Sequence, residues 1–141
     1  MAKKILVADD DFEQRDLYLE LFRANGFAVV SADDGLEALE KALKEKPDLV
    51  FTGIVMPRMD GFELIHNLRN NVVTANIPVV MFSHLGREED KEKARALSHV
   101  DFMVKGYDSP AVILKKIKAL LTAGSPKENS AEDPRSSRTT I

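Results

Sequence analysis

Five short apolar runs, at residues 5–8, 27–30, 49–51, 77–82 and 100–104, limit what this chain can fold into more than any other feature. They are rich in Val, Ile and Phe and mostly uninterrupted, whereas a strand with one face in water alternates apolar and polar positions. Such runs are strands covered on both faces. Between them lie segments with helical spacing, at 12–24, 35–46, 60–70, 87–97 and 109–121. Leu17, Leu21 and Phe22 share one face of the first, and Leu36, Leu39, Ala42 and Leu43 one face of the second. Strict βα alternation with short connections predicts an α/β fold: a five-stranded parallel sheet with right-handed crossovers and helices on both faces, a (βα)5 three-layer sandwich. In open sheets of this kind, ligands bind beyond the carboxyl ends of the strands.

Local signals agree with these boundaries. Gly26 stands where a helix C-cap is expected, Pro47 ends the second helix, Asp60 and Ser109 are placed as N-caps, and Pro110 takes the first helical position. With 141 residues, 44% of them hydrophobic, the chain supplies one core and hardly two. From residue 124 onward GSPKENSAEDPRSSRTTI holds too little apolar surface to order itself, so the expected organisation is a folded domain over 1–123 and a disordered tail or linker over 124–141. The 23 acidic residues outnumber the 20 basic ones, which argues against direct nucleic-acid binding. The absence of cysteine excludes disulfides and thiolate chemistry. No signal peptide or membrane span is apparent, and the expected location is the cytoplasm.

The strand ends carry the chemistry. Asp9 and Asp10 follow the first strand, Gly53 the third, Ser83 the fourth and Lys105 the fifth, and the topology brings these positions together. Two adjacent carboxylates repel, which favours a raised pKa or a bound cation, and an all-oxygen site suits Mg²⁺ in company with a phosphate. A hydroxyl and an ammonium nearby suit the remaining oxygens of a phosphoryl group.

The chain resembles the receiver domain of two-component response regulators. The resemblance rests on ILVADDD, PDLVFTGIVMPRMDGFEL, IPVVMFS and DFMVK, and covers residue 3 to about residue 121. It implies a flavodoxin-like fold with strand order 2-1-3-4-5. It also implies that Asp9, Asp10 and the backbone carbonyl of Val55 hold Mg²⁺, that Ser83 and Lys105 contact the phosphoryl group, and that Ser83 and Phe102 form the switch. The phosphoacceptor aspartate of the family falls at Gly53. Glycine has no side chain to attack a phosphoryl donor, Ile54 is apolar, and Thr52 should face the opposite way along the strand. Bound Mg²⁺ should therefore be weak. Two further departures are Gly106, where the family has a cis proline after the lysine, and Ser98, where it commonly has glycine. A trans peptide is expected before Gly106.

Plainer readings stand beside these. Asp9, Asp10 and Asp11 could cap the first helix, Phe102 could be core, and His84 could be an exposed loop imidazole. The run REEDKEKAR, 87–95, reads as a solvated helix face, although in receivers the fourth helix, fifth strand and fifth helix form the surface that partners contact. The expected function is a non-enzymatic signalling module, a phosphorylation-independent pseudo-receiver. It would bind a histidine kinase or downstream effector through that face, as a monomer or weak dimer and without direct contact to nucleic acid or membrane. The alternative is an ordinary phospho-accepting regulator whose acceptor was replaced by Gly53. A remote third reading, a haloacid dehalogenase-like phosphatase, rests on the DxD pattern at Asp9 and Asp11 and leaves MPRMDGFEL unexplained.

Overall fold

The computed structural model describes residues 2–84, 86–105 and 108–122. Five strands, β1 (Lys4–Ala8), β2 (Ala28–Ala32), β3 (Leu49–Thr52), β4 (Val79–Ser83) and β5 (Val100–Val104), alternate with five helices. These are α1 (Phe12–Ala24), α2 (Gly35–Glu45), α3 (Gly61–Arg69), α4 (Glu88–Arg95) and α5 (Pro110–Thr122). All strand pairs are parallel, in the order β2-β1-β3-β4-β5. This is the flavodoxin-like arrangement that the alternation and the resemblance imply.

Successive side chains of a strand point to opposite faces, and here each face has its own core. Ile5, Val7, Leu49, Phe51, Val80, Phe82 and Met103 meet Tyr18, Leu19 and Phe22 of α1 and Ile113 and Ile117 of α5. Leu6, Ala8, Val50, Val79 and Met81 meet Ala38 and Ala42 of α2, Leu64, Ile65 and Leu68 of α3 and Ala94 of α4. The first core is aromatic at its centre: Phe51 and Phe82 stack at 4.5 Å, and Tyr18 lies tilted 4.9 Å and 5.0 Å from them. Leu17, assigned by spacing to the packed face of the first helix, is 60% exposed, and Tyr18 and Leu19 take the buried positions beside Phe22. The rotation follows from the phenol ring, which fills the space above Phe51 and Phe82.

The expected caps are in place. Asp11 accepts from the N–H groups of Glu13 and Gln14 at the start of α1, and Gly26, with φ 91°, follows its end. Asp60 and Glu63 form a capping box at α3, and the Ser109 hydroxyl accepts from Val112 at α5. In the turn before β5 the left-handed residue is His99 (φ 59°), one place after Ser98. Arg69 secures that turn by donating to the carbonyls of Ile77, Ser98 and His99 at 2.8–3.2 Å. The expected trans peptide before Gly106 and the expected tail over 124–141 lie outside the described residues.

The connection 53–60 is built by close backbone approach. Gly61 donates to the Ile54 carbonyl at 2.7 Å, and a Cβ on Gly61 would collide with the Gly53 carbonyl. Gly35 donates to the Met59 carbonyl at 3.0 Å, and a Cβ there would collide with the same carbonyl. Around Gly53, by contrast, a Cβ would meet nothing closer than 3.8 Å. Gly61→Ala and Gly35→Ala should each lower stability by roughly 1–3 kcal/mol or more, the scale of overpacking. Gly53→Ala should be neutral or stabilising by up to ~1 kcal/mol. Urea unfolding of the three variants checks the contrast.

Arg58, itself left-handed at φ 67°, reaches back to the buried carboxylate of Asp34, with Nε 2.8 Å from Oδ2. That guanidinium, helped by the Glu37 N–H, holds the Asp34 carboxyl below its ordinary value of 3.8. A depressed folded value means that the pair stabilises the fold fully above 3.8 and that the contribution is lost as pH falls through the folded value. Arg58→Ala should therefore destabilise at pH 7, with the difference from the parent shrinking under acid. Thermal melts from pH 7 to pH 2 measure it.

Candidate functional site

Hydrogen bonds running one residue past the ends of β1, β3 and β5 set the candidate site. The Asp9 N–H donates to Ala32, the Gly53 N–H to Ala8, and the Lys105 N–H to Ser83, at 3.1, 2.9 and 2.8 Å. Asp9, Gly53, Ser83 and Lys105 are thereby carried to the same edge of the sheet. A cavity of about 130 Å³ opens there, lined by Asp9, Asp10, Gly53, Ile54, Val55, Phe82, Ser83, His84, Arg87 and Asp90. Of the positions that the sequence singles out for phosphate and metal, Asp9, Asp10, Gly53, Val55 and Ser83 line it. Lys105 does not; its described contacts are main-chain ones, to Ser83 and in a bridge to Asp108.

Asp9 is only 3% exposed. Its Oδ1 accepts from the Asp11 N–H at 3.0 Å, and its Oδ2 is buried with no hydrogen-bond partner among the described residues. Burial pushes its carboxyl above the ordinary range; the Asp11 N–H opposes the shift, Asp10 adds to it, and His84 opposes it. The Arg15 guanidinium, paired with Asp33 at 3.0 Å, donates to the Asp9 carbonyl at 2.8 Å and braces the end of β1. The capping reading therefore holds for Asp11, while Asp9 turns into the cavity edge. Thr52 is fully buried and donates to the Gly53 carbonyl at 2.9 Å, so its hydroxyl is spent on the main chain. The Ser83 hydroxyl accepts from Gly86 at 3.1 Å. His84 is exposed, edge-on to Phe82 at 6.5 Å.

Phe102 sits elsewhere. It is half-buried against the α2–α3–α4 core and lines a groove of about 350 Å³ with Lys91, Ala94, Arg95, Val100, Asp101 and Val104. Arg87 and Asp90 escaped the sequence reading because they belong to a charged run that looks like a solvated face. The one available signal was their place within seven residues of the end of the fourth strand.

The profile of the response regulator receiver domain matches residues 5–118. The chain belongs to that family. The receiver is 36% identical over 121 residues to the alkaline phosphatase synthesis transcriptional regulatory protein PhoP of Bacillus subtilis, covering 86% of this chain and 49% of that one. It is 32% identical over 126 residues to the phosphate regulon transcriptional regulatory protein PhoB of Escherichia coli, covering 89% and 55%. It thus spans about half the length of the curated relatives it matches. Among solved structures, the chemotaxis protein CheY4 of Vibrio cholerae superposes with a TM-score of 0.79 at 29% identity, over 86% of this receiver and all of that chain. The Francisella response regulator 1452 receiver domain gives 0.77 at 29% identity, over 86% and 98%. Receiver domains are signalling domains rather than catalysts, and these matches lend nothing to the phosphatase reading. No helix among the described residues is long and apolar enough to cross a membrane.

Mg²⁺ is the metal that receivers commonly bind at this place, and the residues fit it only in part. The buried Asp9 Oδ2, without a hydrogen-bond partner among the described residues, and the neighbouring Asp10 carboxylate supply suitable oxygens. Among the described residues, however, no group of three or more His, Cys, Asp or Glu is arranged to hold a metal. A carboxylate side chain introduced at position 53 would have its Cβ 3.8 Å from Asp9 Oδ1. Crowding of this kind, equivalent to one or two pKa units, costs roughly 1–3 kcal/mol. Gly53→Asp should therefore be less stable than the parent without metal and should bind Mg²⁺ more tightly, so that Mg²⁺ narrows the gap. Thermal melts with and without Mg²⁺ decide it; a gap that widens on adding Mg²⁺ contradicts the account.

Proposed function

We propose that this receiver is a phosphorylation-independent pseudo-receiver that binds a protein partner through the face formed by α4, β5 and α5. The observation that carries the reading is Gly53: the end of β3 enters the acid cavity beside Asp9 with no side chain, and no carboxylate follows it within the connection until Asp60. Transfer of a phosphoryl group needs a nucleophile in line with the donor. Asp9 is packed at the end of β1 with one oxygen committed to the Asp11 N–H, and Thr52 is turned into the core. Asp9, Asp10 and the Val55 carbonyl would hold a weakly bound Mg²⁺, whose charge would offset the repulsion between the two carboxylates. Lys105 and the Ser83–Phe102 pair keep their places in the chain, but without an acceptor there is no covalent signal for them to read.

The groove beside Phe102 supports the choice of face. It joins an apolar floor of Val100, Phe102 and Val104 to Lys91 and Arg95 on α4, and Asp101 on the same strand lies 3.6 Å from Lys116 of α5. A kinase or a downstream effector in the cytoplasm is the proposed partner, and the receiver itself contacts neither nucleic acid nor membrane. The second reading, an ordinary phospho-accepting regulator whose acceptor was replaced by Gly53, is equally compatible with the relatives.

Intact mass after treatment with acetyl phosphate and Mg²⁺ tests the proposal on the parent and on Gly53→Asp. The parent should gain no phosphoryl mass. An adduct on the variant alone means that the rest of the site still works; an adduct on the parent defeats the pseudo-receiver reading.

A further inference from the structure

The sheet ends in two strands with one open side each, β2 and β5. β2 is five residues long, AVVSA, and carries no charge; its first four residues are half-buried and Ala32 is buried. Alternate residues of a parallel strand bond to the same neighbour. Ala28 donates to Lys3 and Ala32 accepts from Asp9, so Ala28, Val30 and Ala32 serve β1, while the N–H and C=O groups of Val29, Ser31 and Asp33 point away from the sheet. A row of outward main-chain groups of this kind is a template for a further strand.

Part of the row is covered, and by one helix. The Lys41 ammonium of α2 donates to the Ser31 carbonyl at 2.6 Å. One turn earlier in the helix, Glu37 Oε1 accepts from the Asp33 N–H at 2.7 Å, and Oε2 lies 2.9 Å from Lys41 Nζ. The two side chains thus satisfy one outward acceptor and one outward donor and neutralise each other. The Asp33 N–H, followed by Lys41, holds the Glu37 carboxyl below its ordinary value of 4.5, so the pair is charged at neutral pH. Asp33 is fixed in turn by Arg15 of α1 at 3.0 Å. An i,i+4 ion pair on a solvated helix face needs no main-chain partner, whereas both members of this one end on the backbone at the edge. The Val29 N–H and C=O and the Ser31 N–H have no side-chain partner among the described residues.

We propose that Glu37 and Lys41 form a latch over the β2 edge, and that opening it turns this edge into a face for antiparallel pairing with β2 of a second copy of the chain. A second copy suits the edge because the strand is uncharged and two copies do not repel along it. Each copy also brings one Glu37 and one Lys41, so a two-fold arrangement sets opposite charges against each other. Loss of the Lys41 ammonium opens the latch, since the Ser31 carbonyl then needs another donor. Three strands separate β2 from β5, so this contact leaves the face formed by α4, β5 and α5 free.

Sedimentation velocity of the full chain at rising concentration is the test, with thermal melts to show that each variant is folded. Lys41→Ala should self-associate at least about tenfold more tightly than the parent and stop at the dimer, as isologous pairing requires. Lys41→Arg, which keeps a cationic donor, should behave as the parent. Ser31→Pro removes an outward N–H without touching the ladder to β1, so adding it to Lys41→Ala should return association to the parental level. Glu37→Ala opens the other half of the latch and should shift association in the same direction, which keeps the test decisive if Lys41→Ala fails to fold. A folded Lys41→Ala or Glu37→Ala variant no more associated than the parent, growth beyond the dimer, or association that persists with Ser31→Pro would each overturn the proposal.

Discussion

Everything distinctive about this receiver depends on the parallel ladder running one residue beyond its strands. Because Asp9, Gly53 and Lys105 each donate a main-chain hydrogen bond to a neighbouring strand, the chain leaves the sheet at one common edge. The main-chain positions at that edge are set by the ladder. A residue there can therefore vary without the fold noticing: at Gly53 a Cβ would meet nothing closer than 3.8 Å. The two positions where the fold does notice are Gly35 and Gly61, whose missing Cβ atoms let the 53–60 connection lie against α2 and α3.

The chemistry of the cavity is that of an unbalanced charge set. Asp9, Asp10 and Asp90 line the cavity against Arg87 and His84, and adjacent carboxylates favour a raised pKa or a bound cation. Asp9 bears the cost, since burial and Asp10 both raise its carboxyl above the ordinary range and its second oxygen has no hydrogen-bond partner among the described residues. A buried carboxylate oxygen left in this condition is an energetic liability unless a ligand answers it.

Legibility in the sequence varied with the range of the interaction. Strand and helix order, the N-caps at Asp60 and Ser109 and the C-terminal Gly26 are local, and each was readable within a few residues. The face of α1 was readable only in part: spacing placed Leu17 inward, whereas the fit of Tyr18 over Phe51 and Phe82 turned Leu17 outward. The left-handed residue before β5 is His99, and the contact that anchors this turn comes from Arg69 on α3, thirty residues away in the chain.

The sequence by itself determined the fold class and the gathering of Asp9, Asp10, Gly53 and Ser83 at one end of the sheet. These follow from period, strand ends and residue identity, none of which needs coordinates. Only the tertiary structure decided that Asp9 is buried, with one oxygen unpaired among the described residues, that position 53 is open to a side chain, and that Arg87 lines the cavity while Lys105 does not. Each of these is set by where a neighbouring element packs, and a charged residue on a solvated helix reads the same in sequence whether its side chain faces water or a cavity.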